Sequence, residues 1–544
     1  MKRRRFLLGS AGAAASLALA RCRAGGDTAR AFGGRIVGAS DAVGHLLRDG
    51  GPPAPTSERR VPVIIIGGGI AGLSAGWKLR KAGFTAFEII ELESEAGGNA
   101  RSGRNAVSAY PWGAHYVPFP TRESRAVREL FEEIGIIQGY DAAAKPIYDE
   151  LAVCSAPEER LFINGRWQDG LIPTVGIRRA DLDQFERFKD LVASYRERRD
   201  RDGRPAFAIP MERSARDADL LALDRLSMSE FLRQHKLDAP SLRWYVDYCC
   251  RDDYGSLARD VSAWTGLHYF ASREGESARP SDTTLLTWPD GIGHIVSRLD
   301  QLLDAHLRRG QLAHRVQPAR SGATVDVYDP ARKATTRLVA DDVILACPSS
   351  FARYLAPELP GSVRADLEAF EYAPWMVANL TLREFPRSRA GVPIAWDNVI
   401  YSSRSLGYVT ATHQSLESRP AKTVLTFYHA LAERPAAGAR KALLVSGWQG
   451  WVDFILRDLS RPHPEIASIV SNIDVMLWGH AMVCPKPGFI WGEARQRVAR
   501  LDGPIHFAHS DLSGFSLFEE AQYRGVLAAE RVLDRQKVRY ATSL

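Results

Sequence analysis

Cysteine is scarce in this 544-residue chain: six residues, Cys22, Cys154, Cys249, Cys250, Cys347 and Cys484, form no CxxC pair and no Cys/His spacing of the kind that holds zinc. A disulfide-scaffolded module is thereby excluded, a structural metal has no ligand set, and buried thiols are the expectation. No apolar run reaches the about twenty residues that cross a bilayer. Internal repeats and low-complexity tracts are missing as well, which rules out solenoids and fibres. A marked excess of one charge is also missing. The formal net charge is +7, but Lys2, Arg3, Arg4 and Arg5 lie in a segment expected to be removed, leaving +3, too little for a nucleic-acid footprint. What is present is 45% hydrophobic and 25% charged, ordinary globular composition with material for one large or two interleaved domains.

The N-terminus is a targeting segment in pattern. Residues 1–20 open on a basic group, continue in an apolar stretch from Phe6, and end in Ala18-Leu19-Ala20, a small-residue cleavage signal. Arg3-Arg4-Arg5-Phe6-Leu7 is similar to the core of twin-arginine signals, so the expected partner during export is the twin-arginine translocase, and the expected location is the periplasm or extracellular face. A cofactor held only by a folded pocket has to be loaded before such export. Cys22 leaves a lipid anchor open, although Arg21 stands where a small residue is usual. Residues 21–60, rich in Gly, Ala, Arg and Pro, read as a linker.

From Val61 the order is strand, glycine turn, helix, strand. Val63-Ile64-Ile65-Ile66 is a continuous β-branched run, as in a central parallel strand buried on both faces. Gly67-Gly68-Gly69-Ile70-Ala71-Gly72 follows at once as GxGxxG. Gly67 permits the tight turn, Gly69 lets a pyrophosphate approach the backbone, and Gly72 lets helix and strand pack closely. Ile70 and Ala71 open the helix whose free N–H groups and positive dipole end favour phosphate. The next strand, 87–90, ends at Glu91, placed to accept hydrogen bonds from a ribose 2′-hydroxyl. Strand, turn, helix and acid in register predict dinucleotide binding.

After Glu91 the chain reads Glu95-Ala96-Gly97-Gly98-Asn99-Ala100-Arg101-Ser102. Here it resembles the flavin amine oxidase and phytoene desaturase superfamily, whose second glycine motif touches the FAD phosphates. The resemblance covers roughly residues 61–535 and implies non-covalent FAD. Gly98 would serve the phosphates, and Asn99 stands in place of the family's basic residue, with Arg101 two positions on. The backbone near Val316 would bracket the adenine. Asp511 would meet the pyrophosphate or ribityl chain, and the amides near Phe518 and Glu519 the flavin carbonyl. His509 and Glu520 replace glycines of the family pattern. The implied fold is α/β: a Rossmann-like FAD-binding domain (61–150, 281–349 and 479–535) interleaved with a mixed α+β substrate domain (151–280 and 350–478).

For the catalytic end, Tyr110-Pro111-Trp112-Gly113-Ala114-His115-Tyr116 resembles the family segment beneath the flavin, and Trp478 its tryptophan beside the ring. Trp112, His115, Tyr116 and Trp478 are therefore the expected substrate wall, and Gly113, Ala114 and His115 the expected flavin contacts. The lysine that many amine oxidases carry on a strand corresponding to 374–380 is lacking. His480 and Cys484 sit in no recognised flavin-attachment motif. Three functions stay open: oxidation of an amine or related small molecule, desaturation or isomerisation of an isoprenoid or other lipid, and a non-catalytic flavin-binding assembly role. Acids or an aromatic cage near the flavin would mark an amine site, and apolar residues from the helical insert 180–275 a lipid site.

Overall fold

Four consecutive β-branched residues with no polar alternation belong in the middle of a sheet covered on both faces, and in the computed structural model Val63–Ile66 is the central strand of a five-stranded parallel sheet. The order is Leu307–Arg308, Phe87–Ile90, Val63–Ile66, Asp342–Leu345, Ile505–Phe507, every pairing parallel. The structure describes residues 32–38, 40–279, 283–387, 389–417 and 420–544; the expected signal peptide 1–20 and Cys22 lie outside the described residues. The helices Ile70–Lys81 and Phe518–Arg535 pack on each other beside this sheet. Their close approach has a cause: a Cβ on Gly525 would stand 2.1 Å from the Ala71 carbonyl oxygen.

The second unit is an eight-stranded sheet whose long members, Tyr372–Leu382 and Val470–Val483, lie antiparallel. It also takes Glu159–Ile163, Arg166–Asp169, Asp397–Ile400, Gly407–Thr410 and Thr423–Ala430. The region 179–271 is mainly helical, with Arg179–Glu197, Met228–Gln234, Pro240–Tyr254 and Ala263–Ala271. Ser227 and Glu230 close a capping box at the start of Met228–Gln234, satisfying two backbone donors that a helix start leaves free. No helix among the described residues is long and apolar enough to cross a membrane.

The stretch expected as a linker is structured in part. Ile36–Gly38 pairs in parallel with the strand Val470–Val483, and Ser57–Arg60 pairs in parallel with the strand Ala334–Ala340 at the edge of a four-stranded sheet. All four residues of Ser57–Arg60 are exposed; besides its main-chain ladder this edge is held by the Ser57–Thr336 hydroxyl pair and the ion pairs Arg59–Glu88 and Arg60–Asp341, and no hydrophobic alternation marks it.

Candidate active site

The phosphate turn is built from backbone clearances. Gly67 adopts φ +107°, and a Cβ there would lie 2.8 Å from the Ala346 carbonyl oxygen. One on Gly72 would fall 1.8 Å from the Gly67 oxygen. A Cβ on Gly69, by contrast, would meet only the Gly98 Cα, at 3.9 Å. The glycine turn and the second glycine motif thus face each other, joined by the Gly97 N–H to Gly68 O bond of 2.8 Å, with no side chain filling the space above them. No side chain caps the helix at Gly69, so Ile70 and Ala71 present main-chain donors there. Glu91 is buried and accepts from the Gly68 N–H (2.6 Å) and the Glu93 N–H (2.8 Å); burial pushes its carboxyl upward. Arg101 pairs with Glu93 at 3.3 Å and lies over the Trp478 ring at 5.3 Å, while its buried Nε has no hydrogen-bond partner. A glycine cradle, an uncapped helix start and a guanidinium with a spare donor fit the pyrophosphate of the FAD that the motifs imply.

Beyond this turn lies a cleft between the two units, with an empty volume of about 850 Å³ including its mouth. Asn99, Gly113, Ala114, His115, Tyr116 and Trp478 line it as expected from sequence, and Phe518 and Glu519 close one end. No side chain caps the helix Phe518–Arg535 at Leu517, so its positive end opens on the cleft. Trp478 is register partner of Trp375 on the neighbouring strand and donates through Nε1 to the Trp112 carbonyl at 2.7 Å. His115 stacks on Tyr428 at 4.5 Å between ring centres. Burial lowers its pKa to about 4, so it is a neutral wall at ordinary pH. The Tyr428 hydroxyl donates to the Gly113 carbonyl at 3.0 Å.

Several expected residues are elsewhere. Trp112 does not line the cleft: its ring meets Tyr110 edge-on at 5.3 Å and covers Gly103, where a Cβ would touch its Nε1. Only its carbonyl serves the site. Asp511 is fully buried with its carboxylate turned into the protein, accepting from the Ser349 N–H and hydroxyl at 2.7 Å and from the Tyr372 hydroxyl. Despite burial, His509 and these donors hold it below the usual carboxylate range; it orders the loop behind the site. Val316, expected at the adenine and not in this cleft, is buried in the strand Leu312–Ala319 and paired with Val325. Glu520 turns to the helical insert, where it accepts from the Met211 N–H at 2.6 Å. His480 packs against Phe351, and neither it nor Cys484 lines the cleft.

Sequence reasoning missed Asp252, Asp253, Arg273, Trp375, Val377 and Tyr428, all of which line the cleft. Trp375 and Val377 project from the strand on which the lysine was sought. Asp252 and Asp253 come from the last turn of Pro240–Tyr254, where the negative end of a helix favours cations. Arg273 ion-pairs with Asp253. Among the described residues no Lys, Arg or His forms an ion pair with Asp252 or with Glu519. Burial, then the neighbouring Asp253, raises the Asp252 carboxyl to about 7, and burial raises Glu519 to about 7.

The architecture, a Rossmann-like nucleotide domain against a second unit of sheet and helices, is shared with solved amine oxidases. The NAD(P)-binding Rossmann-like domain family matches residues 65–134. The chain is 32% identical over 92 residues to the peroxisomal N(1)-acetyl-spermine/spermidine oxidase of Bos taurus, covering 17% of this chain and 18% of that protein. It thus aligns with about a fifth of this curated relative's length. Putrescine oxidase bound to putrescine superposes with a TM-score of 0.62 at 18% identity, covering 88% of this chain and all of that one. Cyclohexylamine oxidase from Brevibacterium oxydans gives a TM-score of 0.62 at 15% identity over the same shares.

Proposed function

We propose that the protein holds FAD non-covalently and oxidises an amine. The observation that carries this reading is the pairing, in one aromatic-walled cleft, of two carboxylates that form no ion pair among the described residues, Asp252 and Glu519, the nearby Arg273 being engaged by Asp253, with the uncapped start of the helix Phe518–Arg535. An unpaired buried carboxylate is costly, and a bound ammonium relieves that cost. A lipid substrate gives no such relief. FAD, when bound, accepts the hydride from the carbon next to nitrogen.

The chain's own residues bind, aim and dry the substrate. Glu91 would hold the ribose, the Gly67–Gly72 turn and Arg101 the phosphates, and the main chain at Gly113, Ala114 and Phe518 the ring. Asp252 receives the ammonium and, with its raised carboxyl, takes the proton that must leave nitrogen before the carbon can give up hydride. Trp375, Trp478, His115 and Tyr428 wall off water and hold the alkyl part. Anaerobic titration of the purified yellow protein with monoamines, diamines and amino acids is the direct test. Bleaching of the flavin bands by an amine is expected. Bands unmoved by every amine but bleached by an unsaturated lipid would transfer the assignment to the lipid reading.

The segment Arg3-Arg4-Arg5-Phe6-Leu7 further supports, as a proposal, export through the twin-arginine translocase to the periplasm. Lysine at positions 3 and 4, the arginine pair of that core, is expected to retain the flavoprotein in the cytoplasmic fraction; unchanged periplasmic yield would point to the general secretory route.

A further inference from the structure

A second groove, about 690 Å³ including its mouth, is lined by Glu212, Arg216, Trp491, Arg495, Arg500, Tyr523, Arg524, Leu527 and Arg531 among others. Tyr523, Arg524, Leu527 and Arg531 form one stripe of the helix Phe518–Arg535, whose first turn closes the flavin cleft, and Arg495 comes from the helix Glu493–Ala499. Five arginines thus share one groove with a single acid in its lining, Glu212. That acid is already occupied, by Arg216 at 2.7 Å and Arg524 at 2.9 Å.

The other three arginines form no ion pair among the described residues. Arg495 is buried, and its guanidinium donates only to main chain, to Ile490 O at 2.5 Å and to Leu512 O. Arg500 donates to the Gln496 amide oxygen at 3.0 Å and Arg531 to Ala499 O at 3.3 Å. Burial, then repulsion from Arg524, brings Arg495 down to about 10. Asp224 and Glu520 act on Arg495, and Asp502 on Arg531, but none of them lines the groove. Gathering cations in a partly desolvated groove is unfavourable unless an anion completes them, and guanidinium forks match phosphate and carboxylate oxygens two at a time.

We infer that this groove binds a small polyanion carrying two or more phosphate or carboxylate groups, at a site separate from the flavin cleft. The test is calorimetric titration of the flavin-loaded protein with inorganic pyrophosphate and, separately, with citrate, at low and high salt. Saturable binding of at least one, weakened by salt, is expected; which one binds tells a phosphate ligand from a carboxylate one. Replacing Arg500 and Arg531 together by alanine should raise Kd about 100-fold, since each lost charge-assisted bond is worth about tenfold. Arg320→Ala, an exposed change in the turn between Leu312–Ala319 and Gly322–Asp329, should leave Kd unaltered. If the double variant does not fold, Arg500→Ala alone, at an exposed residue, carries the test. Absence of binding by both anions at low salt, or a Kd indifferent to the arginine changes, overturns the assignment.

Discussion

Gly72→Val is expected to yield protein that carries no flavin and melts at lower temperature, the steepest loss of any single change in the nucleotide domain. The reason is backbone against backbone: the new Cβ would fall 1.8 Å from the Gly67 oxygen and 3.3 Å from the Ala346 Cβ. Gly67 cannot give way, because its own φ of +107° and its contact with the Ala346 carbonyl fix the turn. The helix must retreat from the strand, at a cost of about 3 kcal/mol or more, out of a total stability on the order of 5–15 kcal/mol. Its N-terminal donors then miss the phosphates. Gly69→Ala separates the two effects. Its Cβ meets nothing closer than 3.9 Å, so the fold survives, but the methyl enters the space between the two glycine motifs and flavin affinity falls. Flavin absorbance per protein and the unfolding midpoint, measured on both variants, check this; a Gly72→Val protein with full flavin content would refute the assigned role of the turn.

The contrast between these glycines and the substrate carboxylates explains what sequence could and could not reveal. The turn is local: strand, three glycines, helix start and Glu91 lie within 29 residues, and each is demanded by the same ligand, so the pattern can be read without knowing the rest of the fold. Cleft residues from the 113–116 segment, Trp478 and the 518–519 helix start were legible through resemblance to motifs of similar shortness. Asp252 and Asp253 carried no such mark. In the sequence they are two acids at the end of a charged, aromatic-rich helix, which reads as a solvated face until the insert folds that end into the cleft. The available signal was adjacency: paired acids two and three residues before Gly255, whose φ of +61° ends the helix, put negative side chains where the helix dipole is also negative. Ser57–Arg60 was illegible for the opposite reason, since an exposed edge strand held by main chain and surface ion pairs shows no hydrophobic alternation. Trp112 shows the limit of motif transfer: its neighbours reach the cleft, but alternation along the strand end sends its ring to Tyr110.

Asp252→Asn is expected to lower kcat/KM for an amine substrate by about 100-fold, the effect of losing a charge-assisted contact of about 1.5–3 kcal/mol in a desolvated site. The pH dependence gives the sign. With its carboxyl raised to about 7, Asp252 is neutral in acid, while an aliphatic amine is a cation throughout. Productive binding therefore appears as pH rises to about 7 and is lost, about tenfold per unit, as pH falls below it. In the Asn variant the remaining dependence is that of Glu519, also raised to about 7. Folding stability runs the other way. The carboxyl of Asp252 ionises near 3.8 without its surroundings and near 7 within them. Between those values the folded chain binds more protons than the unfolded one, so the ligand-free protein loses stability as pH rises through that window. Removing the ionisation should make Asp252→Asn more stable relative to the parent at pH 8 than at pH 5, although it turns over poorly at both. Thermal unfolding at the two pH values, beside initial rates across the same range, measures both consequences. A variant that keeps the parent's kcat/KM at pH 8 and its pH dependence of stability would show that Asp252 is not the carboxylate that meets the amine.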